Sequence, residues 1–159
     1  MSRRAGKIAE KIEALKDDVI SFVRTCSSED WKKTCRWEEW PVGVTACHIG
    51  GGHFTMDNMI GMIVNGEKFP QLTMDQINEI SKKQAQKLSG CTREEALELL
   101  EKNGTRLAAF VEGLSDDDLD RKARMAAFDG EVSTEQFIEY VIFQSGGQHL
   151  ESMKAAAGS

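Results

Sequence analysis

Apolar residues recur at steps of three and four along most of this 159-residue chain, and only two prolines, Pro41 and Pro70, interrupt the pattern. That spacing is the period of one helical face, and proline is excluded from helix interiors, so the pattern predicts helices with short connections. The first helix shows a single apolar face, formed by Ile8, Ile12, Leu15, Val19, Phe22 and Cys26. The sequence therefore predicts an all-α protein.

The periodic segments predict helices over about residues 5–25, 44–64, 73–88, 93–114 and 134–153. Capping boxes are expected at Thr92 and Ser133, because each is followed three residues later by Glu or Gln. Short capped turns are predicted after Ser27 and Ser115, and a loop at Asp129-Gly130. A chain of this length can bury one sizeable core, so residues 1–159 are expected to form a single helical-bundle domain with short extra helical turns.

Composition and charge exclude several classes of partner. The formal charge is −6, which argues against a general affinity for nucleic acid or anionic membranes. The apolar stretch over residues 42–64 is broken by polar side chains and glycines, so it is not expected to span a membrane. The four cysteines form no CxxC pair, and the start of the chain has no apolar signal segment. A reducing cytoplasmic location is therefore predicted, with Cys47 a small buried hydrophobe.

Two histidines, His48 and His149, fall on helical stripes of apolar and small residues. The stripes are Val44, His48, Gly51, Thr55, Met59 and Met62 in one helix, and Ile138, Ile142, Ser145, His149 and Met153 in the last helix. Inward imidazoles on two helices of a bundle can meet, and bundle cores commonly hold metal or ligand sites of this kind. The alternative is that each histidine is a core residue satisfied by one hydrogen bond.

The order of several motifs resembles the DinB/YfiT-like superfamily. They are Trp40-Pro-Val-Gly-Val-Thr-Ala-Cys-His48, Asp75-Gln-Ile-Asn78, Leu114-Ser-Asp-Asp-Asp-Leu119 and a last helix that carries His149. The resemblance implies an up-down-down-up four-helix bundle and a divalent metal, zinc or nickel. It also implies kinship with thiol-dependent transferases and isomerases, such as the N-terminal domain of mycothiol-dependent maleylpyruvate isomerase.

In that family one histidine after the tryptophan motif and a His-x-x-x-His pair on the last helix bind the metal. His48 and His149 match two of these ligands, but Ser145 stands where the resemblance implies the third. A neutral hydroxyl is a poor ligand for zinc or nickel, so the third ligand position is degenerate. His53 is one substitute, yet five residues on a helix turn it about 140° from His48, which predicts a rim or surface position.

Polar and small residues near the two histidines are candidates for the lining of a ligand site. The polar candidates are His53, Thr55, Asn103 and Gln148. The glycines 50–52 and 146–147 lie close to the histidines in sequence, and helix stability does not explain them, since each costs about 1 kcal/mol relative to alanine. They permit either close helix packing or room for a small ligand.

Two functions follow from these features. The first is a metal-dependent hydrolase or thiol-dependent transferase that acts on a small-molecule substrate, with a low-molecular-weight thiol as a further cofactor. The second is a degenerate member without metal, which binds a small molecule or forms a homodimer without catalysis. Ser145 favours the second, and the histidine pair favours the first.

Overall fold

The computed structural model describes residues 2–158, which form helices and one small hairpin. The helices are α1 (Arg3–Thr25), α2 (Ser28–Trp31), α3 (Val42–Val64), α4 (Met74–Lys87), α5 (Arg93–Glu112), α6 (Asp116–Asp120), α7 (Thr134–Ile138) and α8 (Ser145–Ala157). The strands are β1 (Lys122–Met125) and β2 (Gly130–Ser133), separated by a 3₁₀ turn at Ala126–Phe128. A π-helical turn, Glu139–Gln144, joins α7 to α8, so that Thr134–Ala157 is one helical stretch, called here the last helix.

Helices α1, α3, α5 and the last helix form the bundle. Helices α3 and α5 run in the same direction, and α1 and the last helix run together in the opposite one. For α3 and α5, the contacts Gly50–Asn103 and Asp57–Arg106 advance together along both helices. For α1 and α5, the contacts Cys26–Arg93 and Lys16–Thr105 run in opposite directions. For α1 and the last helix, the contacts Arg4–Glu135 and Lys11–Glu139 again advance together. Taken in chain order, the four helices point up, down, down and up, as the family resemblance implies.

The observed helix boundaries lie close to the predicted ones. The predicted capping box at Ser133 is complete, since Ser133 and Gln136 bond each other's backbone amides. At Thr92 only half of the box forms: the hydroxyl accepts from the Glu95 amide. The antiparallel hairpin β1–β2 was not predicted, because its strands are four residues each, too short for a reliable alternating pattern. Asp129 and Gly130 lie at its turn, both with positive φ.

The core has two apolar clusters with a polar layer between them. One cluster includes Ile12, Ile60 and Leu107, and the other includes Val19, Ile49 and Leu100. The residues at the intermediate level are polar or small: Lys16, His53, Asn103, Gly104 and Gly146. Ile8, Leu100, Leu107 and Ile142 are buried in these clusters, while Leu15, Phe22, Met59, Phe110 and Val141 are partly buried and pack against them.

The sequence-based prediction of which face of α3 points inward is wrong for the middle of the helix. Thr55 is exposed, and the buried stripe there consists of Ile49, His53, Asp57 and Ile60. His53 is 4% exposed, so the prediction of a rim or surface histidine is also wrong. The reason is that α3 packs against α5 on one side and the last helix on another, and carries apolar or small residues on most of its circumference. Such a helix has no single apolar face to set its rotation.

A disulfide between Cys47 and Cys91 links α3 to the residue two before α5. Cys47 is therefore not the reduced small hydrophobe that the sequence predicted. Disulfides are rare in a reducing compartment, so this bond weighs against the predicted cytoplasmic location, which stays a prediction. Cys26 and Cys35 are buried thiols. No helix in residues 2–158 is both long and apolar enough to pass through a bilayer.

Candidate functional site

His48 and His149 meet between α3 and α8. Their ring centroids are 5.2 Å apart, with the ring planes at 83° to each other. The indole of Trp40 lies beside both, with its centroid 5.0 Å from that of His48 and 6.3 Å from that of His149. The two histidines are about a hundred residues apart in sequence, and the fold brings them into one cluster with the Trp40 ring.

Burial keeps both imidazoles neutral. It lowers the pKa of His48 to about 4, with a smaller contribution from the nearby His149. Burial also lowers the pKa of His149. A neutral imidazole has one N–H and one nitrogen lone pair, so at neutral pH each ring can offer a lone pair to a metal ion or accept a proton.

Glu38 is a site residue that the sequence analysis missed. Its Oε1 lies 3.8 Å from Nδ1 of His149, and its side chain is only 8% exposed. Neither Glu38 Oε2 nor His149 Nδ1 has a hydrogen-bond partner among the described residues. Glu38 belongs to the motif Trp37-Glu-Glu-Trp40, and a carboxylate set among tryptophans is the one sequence signal that pointed to it.

The turn before α3 places Glu38 and Trp40. The Cys35 amide donates to the Trp40 carbonyl, the Glu39 amide donates to the Cys35 carbonyl, and Glu39 has a positive φ of 61°. These bonds fold the segment back on itself, so that Cys35 is buried under Glu38. Burial raises the pKa of the Cys35 thiol, a hydrogen bond from the Thr45 hydroxyl opposes this, and the charge of Glu38 raises it further.

Ser145, predicted to stand at the third ligand position, is half-buried and lies one helical turn before His149. It directly follows the π-helical turn Glu139–Gln144. Turns of this kind are rare and occur often at functional sites. Among the described residues, no three His, Cys, Asp or Glu side chains are grouped so as to hold a metal ion. The described residues bring together two imidazoles at this place, those of His48 and His149.

The other predicted lining residues divide between the surface and the core. Thr55 and Gln148 are exposed. The Asn103 amide is buried and donates to the Gly50 carbonyl at 2.9 Å, which ties α5 to α3. His53 belongs to the polar layer of the core, where a Cβ on Gly104 would lie 3.3 Å from His53 Nδ1 and 2.8 Å from Lys16 Cγ.

The glycines near the histidines divide into two groups. A Cβ on Gly50 would lie 2.8 Å from Leu99 Cβ, and one on Gly146 would lie 3.1 Å from Leu15 Cδ2, so these two permit close packing. A Cβ on Gly51, Gly52 or Gly147 would meet nothing within 4 Å. Close packing therefore explains Gly50 and Gly146, whereas Gly51, Gly52 and Gly147 border open space and the interpretation that they make room for a ligand stays a prediction.

A groove with a volume of about 460 Å³ lies elsewhere, along α3 and α5. It is lined by Asp57, Asn58, Gly61, Met62, Asn65, Glu67, Arg106 and Phe110. Asp57 and Arg106 form an ion pair at 2.8 Å across its floor. Among the described residues, none that lines this groove has a buried side-chain nitrogen or oxygen without a hydrogen-bond partner, whereas Glu38 and His149 do.

Comparison with known proteins agrees with this architecture. The family model of the DinB superfamily matches residues 11–153. The chain belongs to the DinB superfamily. Among solved structures, YfiT from Bacillus subtilis superposes with a TM-score of 0.79 at 14% sequence identity, covering 99% of this chain and 89% of YfiT. YfiT is described as a probable metal-dependent hydrolase with an unusual four-helix bundle topology.

At 14% identity the likeness to YfiT shows the fold alone, and it confirms the predicted four-helix bundle. No curated protein of described function matches this chain.

Proposed function

We propose that this protein is a metal-dependent enzyme in which His48 and His149 hold a divalent ion, zinc or nickel. It acts as a hydrolase or thiol-dependent transferase on a small-molecule substrate, with a low-molecular-weight thiol as a further cofactor. The observation that carries the proposal is the meeting of two neutral imidazoles, 5.2 Å apart between centroids, in a partly enclosed cluster. Membership of the DinB superfamily and the likeness to YfiT support it.

The spacing of the two rings fits a shared metal ion. A zinc–nitrogen bond is about 2.0 Å, so a ring centroid lies about 3 Å from the metal, and two rings on one ion have centroids roughly 5 to 6 Å apart. The observed 5.2 Å lies in this range. Their lowered pKa values also fit, because a proton then competes less for the nitrogen lone pairs at neutral pH.

Ser145 determines how tightly such an ion would be held. Catalytic zinc sites usually have three protein ligands, and a hydroxyl replaces one of them here. We therefore expect weak binding, with water or substrate in the remaining positions. When bound, the ion would lower the pKa of a water molecule or thiol and so supply a nucleophile near neutral pH.

The protein's own residues would orient the substrate. Trp40 forms a flat apolar wall beside both imidazoles and keeps water from that side of the site. Gly51, Gly52 and Gly147 leave free space on the neighbouring helix surfaces, through which a small molecule can approach. The two imidazoles can hold or move a proton at the nitrogen that is not bound to metal.

Metal titration tests the proposal. Untagged protein is analysed for zinc and nickel by mass spectrometry and then titrated with Zn²⁺ by calorimetry. We expect one weak site that is lost in both His48→Ala and His149→Ala. Ser145→His should raise zinc affinity at least tenfold, since residue 145 lies one turn from His149.

Gln148→His is the matched control, because Gln148 is exposed and adjacent to His149. It adds an imidazole to the same helix outside the cluster and should leave the affinity nearly unchanged. Zinc binding that survives His48→Ala, or a Ser145→His variant that stays folded and metal-free, would contradict the proposal.

A second candidate is a bundle that has lost the metal and retains a small-molecule site or a homodimer contact. Two observations favour it: the serine at position 145, and the lack of a three-ligand group in the described residues. Absence of zinc and nickel from wild type, and no gain in Ser145→His, would select this candidate.

A further inference from the structure

The side chain of Glu38 is buried beside His149, and one of its two carboxylate oxygens has no hydrogen-bond partner. It is 8% exposed, its Oε2 has no hydrogen-bond partner, and its Oε1 lies 3.8 Å from His149 Nδ1. That nitrogen is also buried and has no hydrogen-bond partner. A buried ring nitrogen without a hydrogen bond is costly, and Glu38 Oε1 is the acceptor that lies near enough to satisfy His149 Nδ1.

Glu38 lies on the side of His149 away from Ser145. Cys35 interacts both with Glu38 and with Ser152, and Ser152 comes three residues after His149 in α8. Ser145 comes four residues before His149, so it lies one turn away in the opposite direction along the helix. Along α8, Glu38 thus lies toward the C-terminal side of His149, whereas Ser145 lies toward its N-terminal side.

This placement agrees with a supporting role rather than a ligand role. No three His, Cys, Asp or Glu side chains in residues 2–158 are grouped for a metal, so Glu38 does not complete a three-ligand set with the histidines. Histidines that bind metals usually donate their second ring N–H to a carboxylate or carbonyl, which fixes the tautomer and the ring orientation. Glu38 has the chemistry and the position for that function.

We propose that Glu38 is a positioning residue that accepts the Nδ1–H of His149, and thereby holds Nε2 as the lone-pair nitrogen available to the shared site. The proposal rests on the proposed function for its purpose, but the tautomer it requires exists in the metal-free protein. A hydrogen bond needs the two atoms about 3 Å apart, so a shift of about 1 Å from the observed 3.8 Å closes it. Rotation of the carboxylate or the imidazole is sufficient.

Nitrogen-15 NMR of metal-free protein tests the proposal directly. Long-range ¹H–¹⁵N spectra distinguish the two neutral tautomers, and the chain has only three histidines, which makes assignment with His149→Asn practical. We expect the Nδ1–H tautomer at His149 in wild type. Glu38→Leu, which removes the acceptor, should shift His149 to a mixture or to the Nε2–H form.

Two further variants make the test decisive. Glu38→Gln keeps the volume of the side chain, so it serves if Glu38→Leu does not fold; its amide can present either oxygen or NH₂, and the Nδ1–H fraction should fall. Glu151→Gln removes an exposed carboxylate two residues from His149 and should change nothing. An unchanged tautomer in folded Glu38→Leu or Glu38→Gln would overturn the proposal.

Zinc affinity provides the second measurement, with Zn²⁺ alone as the probe. In the Ser145→His background, Glu38→Gln should weaken zinc binding by about 10- to 100-fold, the usual effect of losing an outer carboxylate. Glu151→Gln should not weaken it. If no variant binds zinc while the tautomer still depends on Glu38, the proposed metal function fails and the positioning role stands. If zinc binds and its affinity does not depend on Glu38, the positioning role fails.

Discussion

Gly50 and Gly51 are adjacent in α3, and alanine at these two positions should have opposite effects on stability. A Cβ on Gly50 would lie 2.8 Å from Leu99 Cβ and 3.1 Å from the Leu100 backbone nitrogen. These are atoms at or in the backbone of α5, so they cannot rotate aside, and the two helices must separate. A Cβ on Gly51 would meet nothing within 4 Å.

The expected magnitudes follow from three contributions. Alanine gains about 1 kcal/mol over glycine from helix propensity at either position. At Gly50 overpacking costs about 1 to 3 kcal/mol, and separation of the helices weakens the Asn103–Gly50 hydrogen bond by about 1 kcal/mol. Gly50→Ala should therefore lose about 1 to 3 kcal/mol of unfolding free energy, whereas Gly51→Ala should gain up to about 1 kcal/mol.

Urea unfolding followed by circular dichroism at 222 nm measures both values. Linear extrapolation with an unchanged m-value attributes the difference to stability alone. Thermal midpoints should differ in the same direction, by about 2 to 4 °C for each kcal/mol in a domain of this size. Equal stability of the two variants would refute the close contact between α3 and α5, and with it the packing function assigned to Gly50.

Three further outcomes are expected. Reduction of Cys47–Cys91, which closes a loop with a sequence separation of 44 residues, should lower the unfolding free energy by up to about 4 kcal/mol, and dithiothreitol should have no effect on a Cys47→Ser/Cys91→Ser variant. Burial, and then the charge of Lys16, lower the pKa of His53 to about 4, so between about pH 6.5 and 4 the unfolded chain binds a proton that the folded chain does not. The unfolding free energy should therefore decrease as the pH is lowered through that window. Urea midpoints measure this decrease, which should be less steep in His53→Gln. Leu107→Ala, at a fully buried position, should cost about 2 to 5 kcal/mol in the same assay, and a change below half a kilocalorie would mean that the residue is not in the core.

The sequence determined the local features of this protein. Helical periodicity, capping residues and the positions of two prolines were enough to predict the helices, because these signals act over one or two turns. The topology of the bundle was implied by the resemblance to the DinB/YfiT-like superfamily. The same period placed His48 and His149 on helix faces that meet. The identity of Ser145 was readable directly, and with it came the prediction of a degenerate third ligand position.

Which helix faces and which loops come into contact depends on the tertiary structure. Helix α3 carries small or apolar residues on most of its faces, so its own sequence does not set its rotation. Packing against α5 and the last helix buries His53 and leaves Thr55 exposed. Glu38 precedes a helix, in a turn whose path depends on contacts with residues far along the chain, and its nearness to His149 has no local signal. The Cys47–Cys91 disulfide likewise joins segments that only the packing of α3 against α5 brings together. Local spacing fixes a helix and its period, but the rotation of that helix in the bundle depends on the energies of all its neighbours at once.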